Sequence, residues 1–189
     1  MKHAKLINSL LTFLILIILL GSSQNYYAQI TKVISFSKQE LKFKITKDKK
    51  GTEYQEVNIK SLEKINKPGK PEIPTKILRL LISPNEEVEK IIVNIKQNEL
   101  INLEKKLIPS RNFSQEITIP ENLIYESEYP YPREIITKVS DGYFDGSNHI
   151  IMLEISPIRY YPKKDMIEFI SELQFEIKTK SSVLSNPRI

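Results

Sequence analysis

The chain has 189 residues, 28 lysines and arginines against 23 aspartates and glutamates, a net charge of +5, and no cysteine. That length buries roughly 70% of the unfolded surface in a single domain without a covalent staple, and the missing cysteine excludes a disulfide frame, a thiolate metal site and a cysteine nucleophile. Without Lys2 and Lys5, which open the chain, 26 basic side chains face 23 acidic ones, interleaved rather than blocked, so no nucleic-acid-binding stripe is present.

Lys2, His3 and Lys5 precede an apolar run over 6–20, interrupted by Asn8, Ser9 and Thr12 and followed by Gly21-Ser22-Ser23. A positive start, an apolar core and small residues after it make 1–28 a signal peptide, expected as an N-terminal helix removed on export. Cleavage after Ser23 places small residues at both key positions; cleavage after Ala28 places Tyr26 at one of them. The rival reading is an uncleaved anchor, but the run is shorter than the ~20 apolar residues that span a bilayer. The expected location is secreted, beyond the inner membrane, with no membrane contact once the signal is removed.

Residues 30–36 form a short apolar segment. Leu41, Phe43 and Ile45 alternate with Lys42, Lys44 and Thr46, which predicts a half-buried strand with its lysines outward. Asp48-Lys49-Lys50-Gly51 turns the chain into a returning strand over 54–59, and Leu62 and Ile65 extend the packing. Lys67-Pro68-Gly69-Lys70-Pro71-Glu72-Ile73-Pro74 cannot be helical, because each proline removes a donor and pushes the preceding residue toward extended geometry. An almost wholly apolar strand over 77–82, expected to be central, reaches the turn Pro84-Asn85-Glu86. The next strand, 88–95, places Ile91, Val93 and Ile95 on one face.

From 98 to 132 the pattern weakens. Short strands are expected at 100–103, 116–119 and 123–125, separated by Pro109-Ser110-Arg111-Asn112 and Pro120-Glu121-Asn122, before a proline-marked loop at 126–133. A long irregular stretch in a compact domain is often functional. A strand resumes at 135–139, and Asp141-Gly142 and Asp145-Gly146 are expected turns around Tyr143-Phe144. In 149–178, Leu153 and Ile155 share a face, as do Leu173, Phe175 and Ile177, and Pro162-Lys163-Lys164-Asp165 carries turn chemistry. This predicts a long antiparallel C-terminal hairpin. The tail, 181–189, is expected to be disordered. The fold class is all-β: an antiparallel β-sandwich over 29–180.

Catalytic chemistry finds little support. After the signal, His149 is the only histidine, it opens a strand, and no Gly-x-Ser-x-Gly turn accompanies it. One histidine cannot build a two-histidine zinc site. Asp141, Asp145, Ser147 and Asn148 offer oxygens for calcium, but their spacing is not that of an EF-hand loop and Asp-Gly turns give the same composition. Asn112-Phe113-Ser114 matches a glycosylation sequon. No cofactor, no metal and no catalytic residue are expected.

Two words resemble the propeptide of gingipain-type cysteine peptidases. One is Gly69-Lys70-Pro71-Glu72-Ile73-Pro74, followed by the apolar strand at 77–82. The other is Ile151-Met152-Leu153-Glu154-Ile155-Ser156-Pro157-Ile158-Arg159-Tyr160-Tyr161-Pro162, with 173–177 as the closing strand. Tyr129-Pro130 and Asp141-Gly142 fall where that family carries an aromatic-proline loop and a glycine turn, whereas Asp145-Gly146-Ser147 departs from its Arg-Gly step. The resemblance implies a non-enzymatic β-sandwich that docks on a gingipain-type peptidase domain, inhibiting it or assisting its folding, as a free-standing module or the remnant of a longer gene. Peptidases of that family prefer arginine or lysine, so their specificity pocket is acidic and a blocking loop should offer it a basic side chain. By position, Arg111 is the first candidate, Arg133 the second, and Lys105 and Lys106 the third. Arg188 resembles the basic residue at which such propeptides are cut. An adhesion or carbohydrate-binding sandwich remains the alternative, with Tyr129, Tyr131 and Tyr143 as its platform.

Overall fold

The computed structural model describes residues 29–111, 117, 120–144 and 148–182. The expected signal peptide, the glycosylation sequon, most of the strand at 116–119, the Asp145-Gly146 turn and Arg188 lie outside the described residues. In chain order the elements are β1 (Gln29–Ser35), β2 (Leu41–Lys47), β3 (Glu53–Ile59), β4 (Glu63–Lys64), β5 (Pro74–Ile82), β6 (Glu86–Asn102), the single helical turn α1 (Asn122–Tyr125), β7 (Ile136–Phe144), β8 (Asn148–Ile155), β9 (Ile158–Tyr161) and β10 (Met166–Ser181).

β10 organises the first sheet. One of its edges pairs with β6 from Met166↔Asn102 to Ser181↔Glu86. The other pairs with β9 over 166–169 and with β1 over 172–178. The second sheet runs β4-β5-β8-β7, and β2 and β3 form a separate antiparallel pair. Every named pairing is antiparallel. Alternation explains the core: Ile151, Leu153 and Ile155 from β8 meet Leu173, Phe175 and Ile177 from β10 in one cluster, all fully buried.

The reversal expected at 162–165 is present: Pro162 opens a short 3₁₀ turn, and Asp165 ends it in the left-handed region at φ 43°. The expected partners differ. Residues 153–155 pair with β5 and β7, not with 173–177, because Ser156-Pro157 carries the chain from the second sheet to the first. Pro157 has no N–H to continue the β8 ladder, Ser156 N donates to Ile135 O at 2.8 Å, and Pro157 O accepts from Ile170 N at 2.7 Å. The hairpin proper is therefore β9–β10, and its Arg159 holds the buried carboxylate of Glu168 at 2.5 Å.

Other expectations are corrected too. The strands expected at 88–95 and 100–103 merge over 86–102 into the seventeen-residue β6. Residues 123–125 are helical, not extended. Asp141-Gly142 lies inside β7. β5 is not central over most of its length: Lys76 to Ile82 pair with β8 alone, and β4 reaches only Thr75 and Pro74. Phe43 and Ile45 are 40% and 39% exposed, because β2 pairs only with β3 and overhangs the core that Val57 and Ile59 cover. The turn at 48–51 forms as expected, with Asp48 Oδ1 accepting from the Lys50 and Thr52 amides and Gly51 at φ +84°. β10 extends to Ser181, and Ser182 N donates to Asn85 O.

Candidate functional site

The irregular stretch 103–111 belongs to neither sheet, yet it is held along its length. Leu103 N donates to Asp165 O at 2.7 Å. Gln55, on the buried face of β3, accepts the Glu104 and Lys105 amides on Oε1 at 2.8 and 3.2 Å. The Gln55 backbone donates to Lys106 O and accepts from Ile108 N. Leu107 and Ile108 are fully buried, and Tyr125 donates its hydroxyl to Leu107 O at 2.9 Å.

The proline motif braces the far side. Pro71 and Pro109 face each other in an antiparallel bridge. Neither supplies an N–H, so the hydrogen bonds come from their neighbours: Glu72 N to Ile108 O at 2.9 Å and Ser110 N to Lys70 O at 2.8 Å. Gly69 takes φ +81°, a conformation that glycine adopts freely, and its carbonyl accepts from Glu121 N. The brace ends where Arg111 and Ile117 form an isolated bridge. The chain leaves and returns at that pair.

Three of the four basic candidates share this segment. Arg111 donates from Nη2 to Glu56 Oε1 at 3.1 Å. Lys105 pairs with Glu53 at 2.9 Å, and Lys47 reaches the same carboxylate at 3.2 Å. The Lys105 hydrogen bond, then that of Lys47, holds the Glu53 carboxyl below its usual value. Lys106 is exposed and its ammonium has no ion-pair partner among the described residues. Arg133 sits apart, on the loop before β7, with its guanidinium 4.6 Å from the centroid of the Tyr129 ring.

The three tyrosines proposed as a platform are not brought together. Tyr131 pairs with Tyr160, while Tyr143 pairs with His149 near the opposite end of β8, a separation of roughly 20 Å at 3.3 Å per residue. His149 is a buried strand residue. Its Nε2 contacts Asp141 Oδ1 and its ring stacks on Tyr143 at 4.7 Å. Burial alone would push the Asp141 carboxyl up; hydrogen bonds from Lys138 and His149 outweigh that and hold it below the usual aspartate value. Asp141 is thus engaged by both Lys138 and His149, and Asp145 and Ser147, the other oxygens considered for calcium, lie outside the described residues.

Two contributors were missed by sequence reasoning. Gln55 betrays itself as a polar residue in register with the inward Val57 and Ile59. Arg79 is a lone charge inside the apolar stretch 77–82. The partners of Gln55 come from the distant segment 104–108, so only the polarity was visible.

The Propeptide_C25 family model matches residues 17–186. Among solved structures, the chain is similar to one described as a complex of Porphyromonas gingivalis RgpB pro- and mature domains, at 16% identity and a TM-score of 0.63, covering 87% of this chain and 86% of that one. It is also similar to a structure concerning the zymogenic latency of gingipain K from Porphyromonas gingivalis, at 16% identity and a TM-score of 0.62, covering 85% of this chain and 95% of that one. No curated protein matches the sequence.

Proposed function

We propose that this chain, which belongs to the Propeptide_C25 family, docks on a gingipain-type cysteine peptidase domain and keeps it latent by holding a basic side chain in its specificity pocket. The observation that carries this reading is the brace on 103–111. An inhibitory segment must survive in the cleft of the enzyme it blocks, so its backbone must not relax into the geometry of a cleaved substrate. A segment fixed beforehand by Gln55, Lys70, Glu72 and Tyr125 also loses little entropy on docking, which lets an interface of roughly 1,600 Å² bind tightly.

Arg111 is the residue assigned to the pocket. It stands at the last braced position, and its guanidinium already holds the geometry that a carboxylate demands, with Glu56 as the partner. Docking then exchanges Glu56 for an acid of the peptidase, one charge-assisted pair for another. Lys105 and Lys106 on the same segment, and Arg133 on the neighbouring loop, are the positions against which this assignment is measured. Such a chain works outside the cytoplasm, as a secreted protein. Among the described residues no helix is long and apolar enough to cross a membrane.

The test uses purified residues 29–189 against the mature domains of RgpB and gingipain K. Inhibition of at least one is expected, with Arg111→Ala raising the inhibition constant at least tenfold and Lys42→Ala, on exposed β2, leaving it within twofold. Equal loss in both variants would remove Arg111 from the pocket. No inhibition of either enzyme would overturn the latency reading.

A further inference from the structure

Among the described residues, the outer face of the second sheet is covered at one end only. There the proline segment and Tyr131-Pro132 lie over Thr75, Glu154 and Ser156 around a small cavity, and Lys67 neutralises Glu154 at 2.6 Å. At the other end Arg79, Ser140, Gly142, Tyr143, Ile150 and Met152 line an open groove of about 450 Å³. Leu81, two residues beyond Arg79 on the same face, is 63% exposed. Tyr143 closes one end of the groove, pinned by its hydroxyl to Pro84 O at 2.5 Å and by its ring to His149. Arg79 is exposed and has no carboxylate partner among the described residues.

We infer that this groove is a second docking surface, separate from the Arg111 segment, and that it takes an extended stretch of the peptidase domain bearing a carboxylate between apolar side chains. The inference rests on the latency reading for the identity of the partner. A guanidinium with no carboxylate partner among the described residues, beside Ile150 and Met152, asks for an anion with apolar flanks, and charge complementarity of this kind selects partner and register. Arg79 and Leu81 share one face of β5, so a partner strand alternating at the same period of two presents its acid and an apolar side chain together. The chain's own residues 183–189 contain no aspartate or glutamate side chain.

Gly142 gives a clean test. A Cβ built there meets nothing within 4 Å, so Gly142→Leu starts its side chain from open space in the groove, and the thermal midpoint checks that the fold accepts the rest. Arg79→Glu reverses the charge. Binding to the mature domains of RgpB and gingipain K is measured with the peptidase active site either open or covalently blocked. Each groove variant should weaken binding at least tenfold in both forms, with its thermal midpoint within a few degrees of wild type. Arg111→Ala should weaken binding to the open form alone. Groove variants that bind like wild type overturn the groove and leave latency standing; a wild type that binds neither peptidase overturns both.

A titration free of the peptidase checks the charge. The blocked peptide acetyl-Leu-Glu-Leu-amide should shift the amide resonances of Gly142, Ile150 and Met152 in wild type and not in Arg79→Glu, whereas acetyl-Leu-Lys-Leu-amide should shift none. Equal shifts from both peptides overturn the assignment. So does a self-associated form that Gly142→Leu dissolves, or a change in the same resonances on truncation after Ser182, because the groove would then hold a second copy or the chain's own end.

Discussion

Glu56 and Arg111 form the contact on which the assignment of the pocket residue turns. Their side chains are 14% and 32% exposed, so the pair is partly screened, and pairs of this kind contribute about 0–1 kcal/mol. That magnitude decides what Glu56 does to inhibition. If Arg111 enters the pocket, it must first leave Glu56, and the lost pair is subtracted from binding. Glu56→Gln removes that penalty, so inhibition should tighten by up to about fivefold, the equivalent of ~1 kcal/mol. If Lys106 or Arg133 is the inserted residue, the inhibition constant should not move, and that result would transfer the assignment away from Arg111. Gln55, one residue earlier, acts on the opposite face of the strand by fixing the backbone that carries Lys105 and Lys106. Adjacent residues of β3 thus separate two tasks, one side chain positioning the segment and the next neutralising its arginine.

β10 shows how far alternation can be trusted. Phe175 sits on the central strand of the first sheet, opposite Val93 on one side and Lys32 on the other, and is fully buried. Phe43 has the same period in its own strand and is 40% exposed. Phe175→Ala should cost about 3–5 kcal/mol in a urea unfolding experiment, and Phe43→Ala less than about 1 kcal/mol; equal costs would mean that the β2–β3 pair closes over the core more tightly than its exposure shows. The contrast also marks what was legible in the sequence. Period two identified the strands and their inward faces at β6, β8 and β10, because side-chain direction is a local property. It did not identify partners, because strand neighbours are set by where a proline such as Pro157 sends the chain. It missed α1, since four residues are too few for a helical period to show. In the candidate site, the position of Lys105, Lys106 and Arg111 on one irregular segment was readable from prolines and broken alternation. The brace was not, because its backbone hydrogen bonds to Gln55, Lys70 and Glu72 leave no mark on residue type, and the side chains that join them, Gln55 and Tyr125, lie far from the segment in sequence.

The loops and the core are joined by tyrosines, and that makes the whole molecule sensitive to base. Tyr125 holds Leu107 O, its ring meets Tyr160 edge-on at 6.1 Å, and Tyr160 exchanges two backbone hydrogen bonds with Tyr131. Burial pushes the Tyr131 hydroxyl up to about 12, and pushes Tyr125 and Tyr160 up as well. An unfolded tyrosine ionises near 10. Below that pH both states keep the proton and the stability of the cluster is fully present. As pH rises from about 10 toward the folded value, the unfolded chain releases protons that the folded chain retains, so stability falls. For Tyr131 alone the loss approaches about 2–3 kcal/mol by pH ~12, from a shift of about two units. Urea midpoints should therefore hold steady to about pH 10 and then fall, and part of the tyrosinate absorbance should appear only as β-structure is lost. Because Tyr125 grips the same segment that carries the basic candidates, inhibition should disappear along that transition and not before it. Gradual ionisation of every tyrosine near pH 10 with the sheets intact would show that these rings do not tie the 103–111 segment to the core.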